Sequence, residues 1–107
     1  MSGVTFDAGG LIALDRGDRR VIALLGRAAE LGARITIPAT ALAQAMRRPA
    51  QQARLSRLVR QPNVSVATLD AADATQVGIL LAASRTSDIV DAHVVVCARR
   101  NGEAIVT

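Results

Sequence analysis

Short apolar segments rich in β-branched residues alternate with longer helical segments along the whole of this chain of 107 residues. The short segments are predicted to be strands, at residues 3–6, 34–37, 64–67 and 104–106. Strands separated by helices form right-handed βαβ units, so the pattern predicts an α/β fold with a mainly parallel sheet of about four strands and helices on both faces. At this length we expect one domain, spanning residues 1–107.

The intervening segments carry signals for where helices begin and end. Asp18 is placed to cap a helix whose apolar residues recur at helical spacing, and Gly32 is placed to end it. Another helix is predicted to begin after Asp70 and to reach Ser84, with acids at the end that the helix dipole favours. The remaining helices are predicted at residues 11–14, 39–48, 49–60 and 89–100. The last of these is apolar almost all round, so we expect it to be buried.

The composition limits the kinds of partner that the protein can bind. Phe6 is the only aromatic residue, which excludes the aromatic stacking used by many modules that bind single-stranded nucleic acid. The net charge is +4, and all 13 basic residues are Arg. Because guanidinium groups grip phosphate oxygens bidentately, this favours a phosphate-bearing partner. An arginine-biased genome explains the same composition about equally well.

Cysteine usage and hydropathy indicate the compartment. Cys97 stands alone, so no disulfide framework exists and a reducing environment is expected. Charged residues interrupt every apolar stretch well before the length of a membrane span, and the amino terminus lacks a basic segment followed by an apolar one. These features predict a cytoplasmic protein without a membrane partner.

Three aspartates are the candidate functional residues. Asp7 follows the first strand, where open parallel sheets place their ligands, and Asp88 and Asp91 lie one turn apart at the start of the helix predicted at 89–100. Helix capping explains Asp88 and Asp91 well, but it does not explain an acid at the end of the first strand. Three carboxylates brought together would repel one another, and a divalent cation such as Mg²⁺ or Mn²⁺ would remove that repulsion.

Other reactive or basic residues have simpler interpretations. His93 points away from Asp91 on the same helix and is interpreted as a packed or surface histidine, not a ligand. Cys97 is interpreted as a small core residue, because nothing nearby would activate it. The arginines at 47, 48, 54, 57 and 60 form a solvated helix face for the most part, with a phosphate-binding role left open for one or two.

Three segments together resemble a known family. Residues 4–14, VTFDAGGLIAL, resemble the opening of a PIN domain, and residues 87–98, SDIVDAHVVVCA, resemble its later acidic helix. Residues 101–107 resemble the strand that follows. The segments occur in the family's order over nearly the whole chain, and the closest group is the VapC-type toxins of toxin–antitoxin pairs.

The resemblance implies a fold, an activity and a set of site residues. It implies a three-layer α/β/α fold and a Mg²⁺- or Mn²⁺-dependent endoribonuclease. Such a nuclease is usually a homodimer, held inactive by an antitoxin whose tail covers the acidic cleft. Asp7 matches the family's first metal-binding acid, Asp91 matches the third, and Asp88 matches an additional acid found one turn earlier.

Two departures from the family pattern bear on catalysis. The family's second acid is a Glu on the helix after the second strand, and Gln44 stands in that place, with an amide oxygen that can ligate a metal but carries no charge. The family's fourth acid lies just past the last strand, where the present sequence ends at Thr107, and the family's terminal helix and edge strand are not in it. We therefore expect a PIN-like fold with a truncated carboxyl-terminal end and weak nuclease activity.

The expected reaction is metal-assisted cleavage of an RNA phosphodiester. Asp7, Asp88 and Asp91 would hold one cation that lowers the pKa of a bound water and polarises a phosphoryl oxygen. The alternative, from another class, is a catalytically impaired PIN-like binding module that acts through an antitoxin or another protein partner. A receiver-type signalling domain also begins with strand-end acids, but those domains resemble one another in a Lys, and this chain has none.

Overall fold

The computed structural model describes residues 3–107 of the chain. Its elements follow the predicted alternation of strands and helices. In order, they are β1 (Val4–Phe6), α1 (Ala8–Asp15), α2 (Arg19–Leu31), β2 (Ile35–Pro38), α3 (Ala39–Ala45), α4 (Ala53–Val59), β3 (Val64–Ala67), α5 (Ala71–Ser84), α6 (Ile89–Asn101) and β4 (Ala104–Val106). One turn of 3₁₀ helix, Pro49–Gln51, separates α3 from α4.

All four strands formed by residues 3–107 run parallel in one sheet, in the order β3-β2-β1-β4. The predicted α/β fold with a mainly parallel sheet of about four strands is confirmed. β1 lies inside the sheet, and β3 and β4 form its edges. The register places Phe6 beside Val106, and Thr5 beside both Thr36 and Ile105.

One face of the sheet carries the main apolar core. Phe6 of β1 packs with Ile35 and Ile37 of β2, and the same cluster includes Leu11 of α1 and Leu55 of α4. All five side chains are almost completely buried. Burying a side chain of this size contributes about 1.5–3 kcal/mol each, so this face supplies much of the stability of the fold.

The opposite face of the sheet is more polar and lies against α6. Thr5 Oγ1 donates a hydrogen bond of 2.8 Å to Oε1 of buried Glu103, and Arg34 Nε donates one of 3.4 Å to Oε2. Asn101 Nδ2 donates to Thr36 Oγ1 at 3.4 Å. A buried carboxylate is tolerated only when it is paired and hydrogen-bonded, so Glu103 ties the start of β4 to β1 and to the residue that precedes β2.

A bidentate ion pair fixes α5 on the outer side of α6. Arg100 Nη1 and Nη2 donate to Asp73 Oδ1 and Oδ2 at 2.8 and 3.1 Å. Arg100 Nη2 also lies 3.6 Å from Cys97 Sγ, within the same helix. The planar fork of the guanidinium sets the rotation of α5 as well as its distance, because both carboxylate oxygens are engaged.

Several predicted helix boundaries need correction. The helix predicted at 11–14 begins earlier, at Ala8, because Asp7 caps it. The helix predicted at 39–48 ends at Ala45, and the segment predicted at 49–60 divides into the 3₁₀ turn and α4. The cause is Gln52, whose Oε1 accepts the Arg48 N–H at 2.7 Å and whose Nε2 donates to the Ala45 carbonyl at 2.8 Å. These bonds replace those that a continuous helix would make.

The predicted burial of the helix at 89–100 is correct for one side only. Residues such as His93 and Cys97 are buried against the sheet, whereas Asp91 and Arg99 are exposed. Asp18 and Gly32 begin and end α2 as predicted, with Gly32 in the left-handed conformation. Among residues 3–107, no helix combines the length and the hydropathy that crossing a membrane requires.

Gly10→Ala should destabilise the protein, although Ala is the better helix former. A Cβ on Gly10 would lie 2.5 Å from the Val106 carbonyl oxygen and 3.1 Å from Phe6 Cδ2, so α1 or β4 would have to move. Overpacking of this kind costs about 1–3 kcal/mol. Gly78→Ala in α5 is the matched control, because its Cβ would meet nothing within 4 Å. It should stabilise the protein by about 0.5–1 kcal/mol. Urea unfolding measures both changes, and stabilisation by Gly10→Ala would contradict the close approach of α1 to β4.

Candidate acidic site

Asp7 is fixed by the backbone on both sides. Its N–H donates to the Val106 carbonyl of β4 at 3.0 Å, and its side chain caps α1, with Oδ1 accepting the Gly10 N–H at 2.8 Å. The sequence argument that capping does not explain this acid is therefore wrong, because Asp7 ends β1 and begins α1 at the same time. The cap engages Oδ1, and Oδ2 has no hydrogen bond within residues 3–107.

Asp88 and Asp91 lie at the beginning of α6. Asp88 caps this helix, with Oδ1 accepting the Asp91 N–H at 3.0 Å, as the capping interpretation predicts. Asp91 is in the first turn and is exposed. Its position agrees with the preference of the helix dipole for acids near the amino end, but its side chain is not a cap.

The pKa of Asp91 shows that the three acids lie close enough to interact. The pKa of Asp91 is raised first by partial removal of its carboxyl from water, although the residue is exposed overall. The charge of Asp88 and a hydrogen bond between the two carboxyl groups raise this pKa further, and the charge of Asp7 adds to it. Asp7, Asp88 and Asp91 therefore form one electrostatic group where β1 ends and α6 begins.

The chemistry of this group suits a hard divalent cation, but its arrangement is not a complete metal site. Carboxylate oxygens are the donors that Mg²⁺ and Mn²⁺ prefer. Asp7 and Asp88 each use Oδ1 as a cap, which leaves one oxygen for another partner. Within residues 3–107, no three or more His, Cys, Asp or Glu side chains converge as a group that could hold a metal ion. Because the caps hold Asp7 and Asp88, binding would require the Asp91 side chain to rotate towards them.

Gln44 lies apart from the contacts of the three aspartates. It is exposed on α3 and lines a cleft with Ile12 and Asp15 of α1 and with Arg47. Its backbone carbonyl accepts a hydrogen bond from Arg47 Nε at 3.1 Å. In the described part of the chain, its side chain makes no hydrogen bond to Asp7, Asp88 or Asp91. Its assignment as a metal ligand stays a prediction from the family resemblance.

Sequence reasoning missed two residues beside Asp7. A Cβ added to Gly9 would lie 3.2 Å from Asp7 Oδ1 and 3.4 Å from Thr107 Oγ1, so the Thr107 hydroxyl and the Asp7 carboxylate flank the same small space. The absence of a side chain at Gly9 keeps that space open. The strand register contains the signal for Thr107, since Phe6 pairs with Val106 and the next residue on each strand reaches the same edge.

His93 and Cys97 lie in the packing of α6. His93 is completely buried, and its Nδ1 shares a hydrogen bond of 2.7 Å with Thr40 Oγ1 of α3. Burial lowers the pKa of His93, although the nearby Thr68 backbone opposes this shift without reaching hydrogen-bond geometry at Nε2. Cys97 is buried, and burial raises the pKa of its thiol. Both residues are packed side chains, and neither belongs to the acidic group.

No protein-family model and no curated protein matches this sequence. The likeness to PIN domains therefore remains a resemblance, and the functional argument depends on the fold and on the acidic group described above.

Asp91→Asn should stabilise the metal-free protein at neutral pH but not in acid. Because the folded pKa of Asp91 is raised, the folded state binds more protons between the ordinary and the raised pKa, and stability falls as pH rises through that window. An amide does not ionise, so the variant escapes this loss.

Urea unfolding of both proteins at pH 3 and pH 7 measures the effect. The stability of the variant relative to the original protein should be greater at pH 7 than at pH 3. If the stability of the original protein relative to the variant increased as the pH rose, the pKa of Asp91 would not be raised in the folded protein.

Proposed function

We propose that this protein is a metal-dependent endoribonuclease of the PIN-like, VapC type. The observation that supports it most is the electrostatic group at the end of β1, in which partial burial raises the pKa of Asp91 first and the charges of Asp88 and then Asp7 raise it further. Capping accounts for Asp7 and Asp88 as single residues, but it does not require Asp91 to lie in the field of both. The lone, buried Cys97 fits a reducing compartment, and we place the protein in the cytoplasm.

Each residue of the site has a separate role in this proposal. Asp7, Asp88 and Asp91 would hold Mg²⁺ or Mn²⁺, and the amide oxygen of Gln44 would be a further, uncharged ligand. A cation held by these residues would polarise a phosphoryl oxygen and lower the pKa of the attacking water. The Thr107 hydroxyl flanks the same space as the Asp7 carboxylate and would be a neutral polar group beside the bound cation.

Exposed arginines beside Gln44 would bind the RNA backbone. Arg47 and Arg48 are exposed beside Gln44, at the cleft between α1 and α3. Phosphate contacts from such residues position RNA without selecting its sequence. We expect weak activity, because the carboxylates do not form a complete metal site and Gln44 adds no charge.

Asp7→Asn should abolish stabilisation by Mn²⁺ while leaving the metal-free fold as stable as before, or slightly more stable. Asn caps a helix about as well as Asp, so α1 keeps its first turn, and one repelling charge is removed. The original protein should gain about 2.7 kcal/mol at a Mn²⁺ concentration 100 times its dissociation constant. Thermal melts with and without Mn²⁺, and cleavage of a single-stranded RNA, are the measurements.

Asp18→Asn is the matched control. Asp18 caps α2 in the same way, with Oδ1 accepting backbone N–H groups, but it is not among the charges that act on Asp91. This variant should keep the full Mn²⁺ response and the full cleavage rate. If Mn²⁺ still stabilised the Asp7→Asn variant, the metal site would be refuted. If Mn²⁺ stabilised only the original protein, but that protein did not cleave RNA, a binding role would be favoured.

A groove between α2 and α4 supports a second function, that of a PIN-like module that binds a protein partner. The groove has a volume of about 350 Å³, and its lining includes Leu25, Gly26 and Leu58. Arg54 and Arg57 also line it, and no acid does so within the described chain. An amphipathic helix with acidic residues beside its apolar face fits this chemistry, and a cognate antitoxin would present such a segment.

Gly26→Leu should block this groove without harming the fold. A Cβ on Gly26 meets nothing within 4 Å, so the longer side chain enters open space. A peptide helix with Leu on one face and Glu on the flanks should bind the original protein, and its affinity for the variant should fall on the order of tenfold or more. Gly78→Leu, at an equally open position on α5, is the control and should not change binding. Fluorescence anisotropy of the labelled peptide measures this, and equal binding by all three proteins would exclude the groove.

A further inference from the structure

A polar cleft lies over β2 and β3, on the face of the sheet that α6 covers elsewhere. α6 packs against β1, β2 and β4, and β3 is not among the strands with which it makes its main contacts. The uncovered surface forms a cleft of about 310 Å³, at the lower end of the range of volumes that hold small ligands in proteins. Within the described chain, Val66 and Ala67 are the only apolar residues that line it. The cleft therefore suits a ligand that is polar over most of its surface.

The floor of the cleft carries hydroxyl groups. Thr36 and Ser65 are paired in register, so their side chains lie on the same face of the sheet. Asn101 Nδ2 donates to Thr36 Oγ1 at 3.4 Å, which places both hydroxyls on the α6 side and leaves the amide oxygen of Asn101 for another partner. Thr36 is buried, whereas Ser65 is exposed and lines the cleft. A serine hydroxyl and an amide oxygen in one cleft can together donate to and accept from the hydroxyl groups of a ligand.

One end of the cleft is cationic. Arg34 directly precedes β2, and its Nε donates the hydrogen bond of 3.4 Å to buried Glu103. The two terminal nitrogens, Nη1 and Nη2, make no hydrogen bond within residues 3–107, and the side chain is 60% exposed. The planar guanidinium presents N–H groups in a fork that matches two oxygens of a phosphate. Arg34 is therefore a phosphate-binding group that Glu103 already holds in place.

The other end of the cleft is acidic, and the wall between the two ends is neutral. Asp70 follows β3, and its Oδ1 caps α5 by accepting the Asp73 N–H at 2.9 Å, which leaves Oδ2 for a ligand. The second arginine of the cleft, Arg100, donates to both oxygens of Asp73, so its charge is offset within the wall. Carboxylate oxygens accept hydrogen bonds from the hydroxyl groups of a ligand and repel its anionic groups.

The two charged ends give the cleft a direction. Arg34 lies where β3 begins, because the next residue, Ile35, pairs with Val64, and Asp70 lies beyond the end of β3. A strand of four residues, such as β3, measures about 10 Å from its first residue to its last. An anionic group is attracted by Arg34 and repelled by Asp70, so a ligand of this length with one anionic end can lie in one orientation only.

We propose that this cleft binds a small phosphorylated sugar, with the phosphate at Arg34 and the sugar hydroxyls at Ser65, Asn101 and Asp70. A phosphate joined to a sugar occurs both in free sugar phosphates and in mononucleotides, and the cleft recognises the part that they share. The site uses none of the three aspartates of the acidic group. It is therefore a binding site additional to the proposed nuclease, and it does not depend on that reaction.

Titrations followed by the amide NMR signals of the protein, without metal or RNA, test the ligand. Ribose 5-phosphate should bind more tightly than ribose or inorganic phosphate, on the order of tenfold or more, because only the joined molecule reaches both ends of the cleft. AMP distinguishes the two sources. Tighter binding of ribose 5-phosphate than of AMP would support a free sugar phosphate, and tighter binding of AMP would support a nucleotide. Inorganic phosphate that binds as tightly as both phosphorylated sugars, or no binding by either of them, would overturn the proposal.

Substitutions test the residues of the cleft. Arg34→Gln should weaken the binding of ribose 5-phosphate on the order of tenfold or more, because it removes the free guanidinium. Arg27→Gln, the same change on exposed α2, is the control and should bind like the original protein. Because Arg34→Gln also removes the ion pair of buried Glu103, Ser65→Val is a second variant. It removes the hydroxyl and narrows the cleft at an exposed strand position where Val is favoured, and it should weaken binding in the same way.

The location of the NMR changes completes the test. Ligand-dependent signal changes should be largest at the residues that line the cleft, among them Ser65, Asp70 and Asn101. Full binding by both Arg34→Gln and Ser65→Val, or signal changes at the acidic group instead of the cleft, would overturn the proposal. A protein that binds Mn²⁺ and cleaves RNA but no phosphorylated sugar would leave the proposed function intact, and the reverse result would leave this site intact.

Discussion

The position of β1 between β2 and β4 is the constraint on which the rest of the structure depends. Neighbouring parallel strands end at one edge of a sheet, so the pairing of Phe6 with Val106 brings Asp7 level with Thr107. The Asp7 N–H continues that ladder by donating to the Val106 carbonyl, and the Asp7 side chain begins α1. The sheet register therefore determines both where α1 begins and where Asp7, the first candidate ligand, is placed.

Local sequence patterns predicted the fold where the structure depends on local preferences. The β-branched segments became the four strands of the described chain, and Asp18 and Gly32 became the ends of α2. The start of α1 was missed because Gly9-Gly10 has low helix propensity, which the cap at Asp7 overcomes. The break between α3 and α4 depends on Gln52 reaching back to Ala45, and no periodic pattern in the sequence contains that contact.

The sequence pointed to some residues of the candidate site but not to others. Asp7, Asp88 and Asp91 were found because acids after a strand and at a helix start have a chemical meaning, although the reason given against a cap at Asp7 was wrong. Thr107 was missed because a threonine has no special meaning until the register places it beside Asp7. Gln44 came from the family resemblance alone, and its side chain makes no hydrogen bond to the three aspartates in the described residues.

The two explanations of these aspartates, caps and ligands, are compatible. A cap uses one carboxylate oxygen and holds the side chain still, so capping by Asp7 and Asp88 presents their second oxygens in fixed positions. The same reasoning applies along α6, where acids at the amino end and arginines at the carboxyl end agree with the helix dipole. That order of charges stabilises α6 by itself. A stabilising role at the start of a helix therefore does not argue against a role as a metal ligand, because the two roles use different oxygens of one carboxylate.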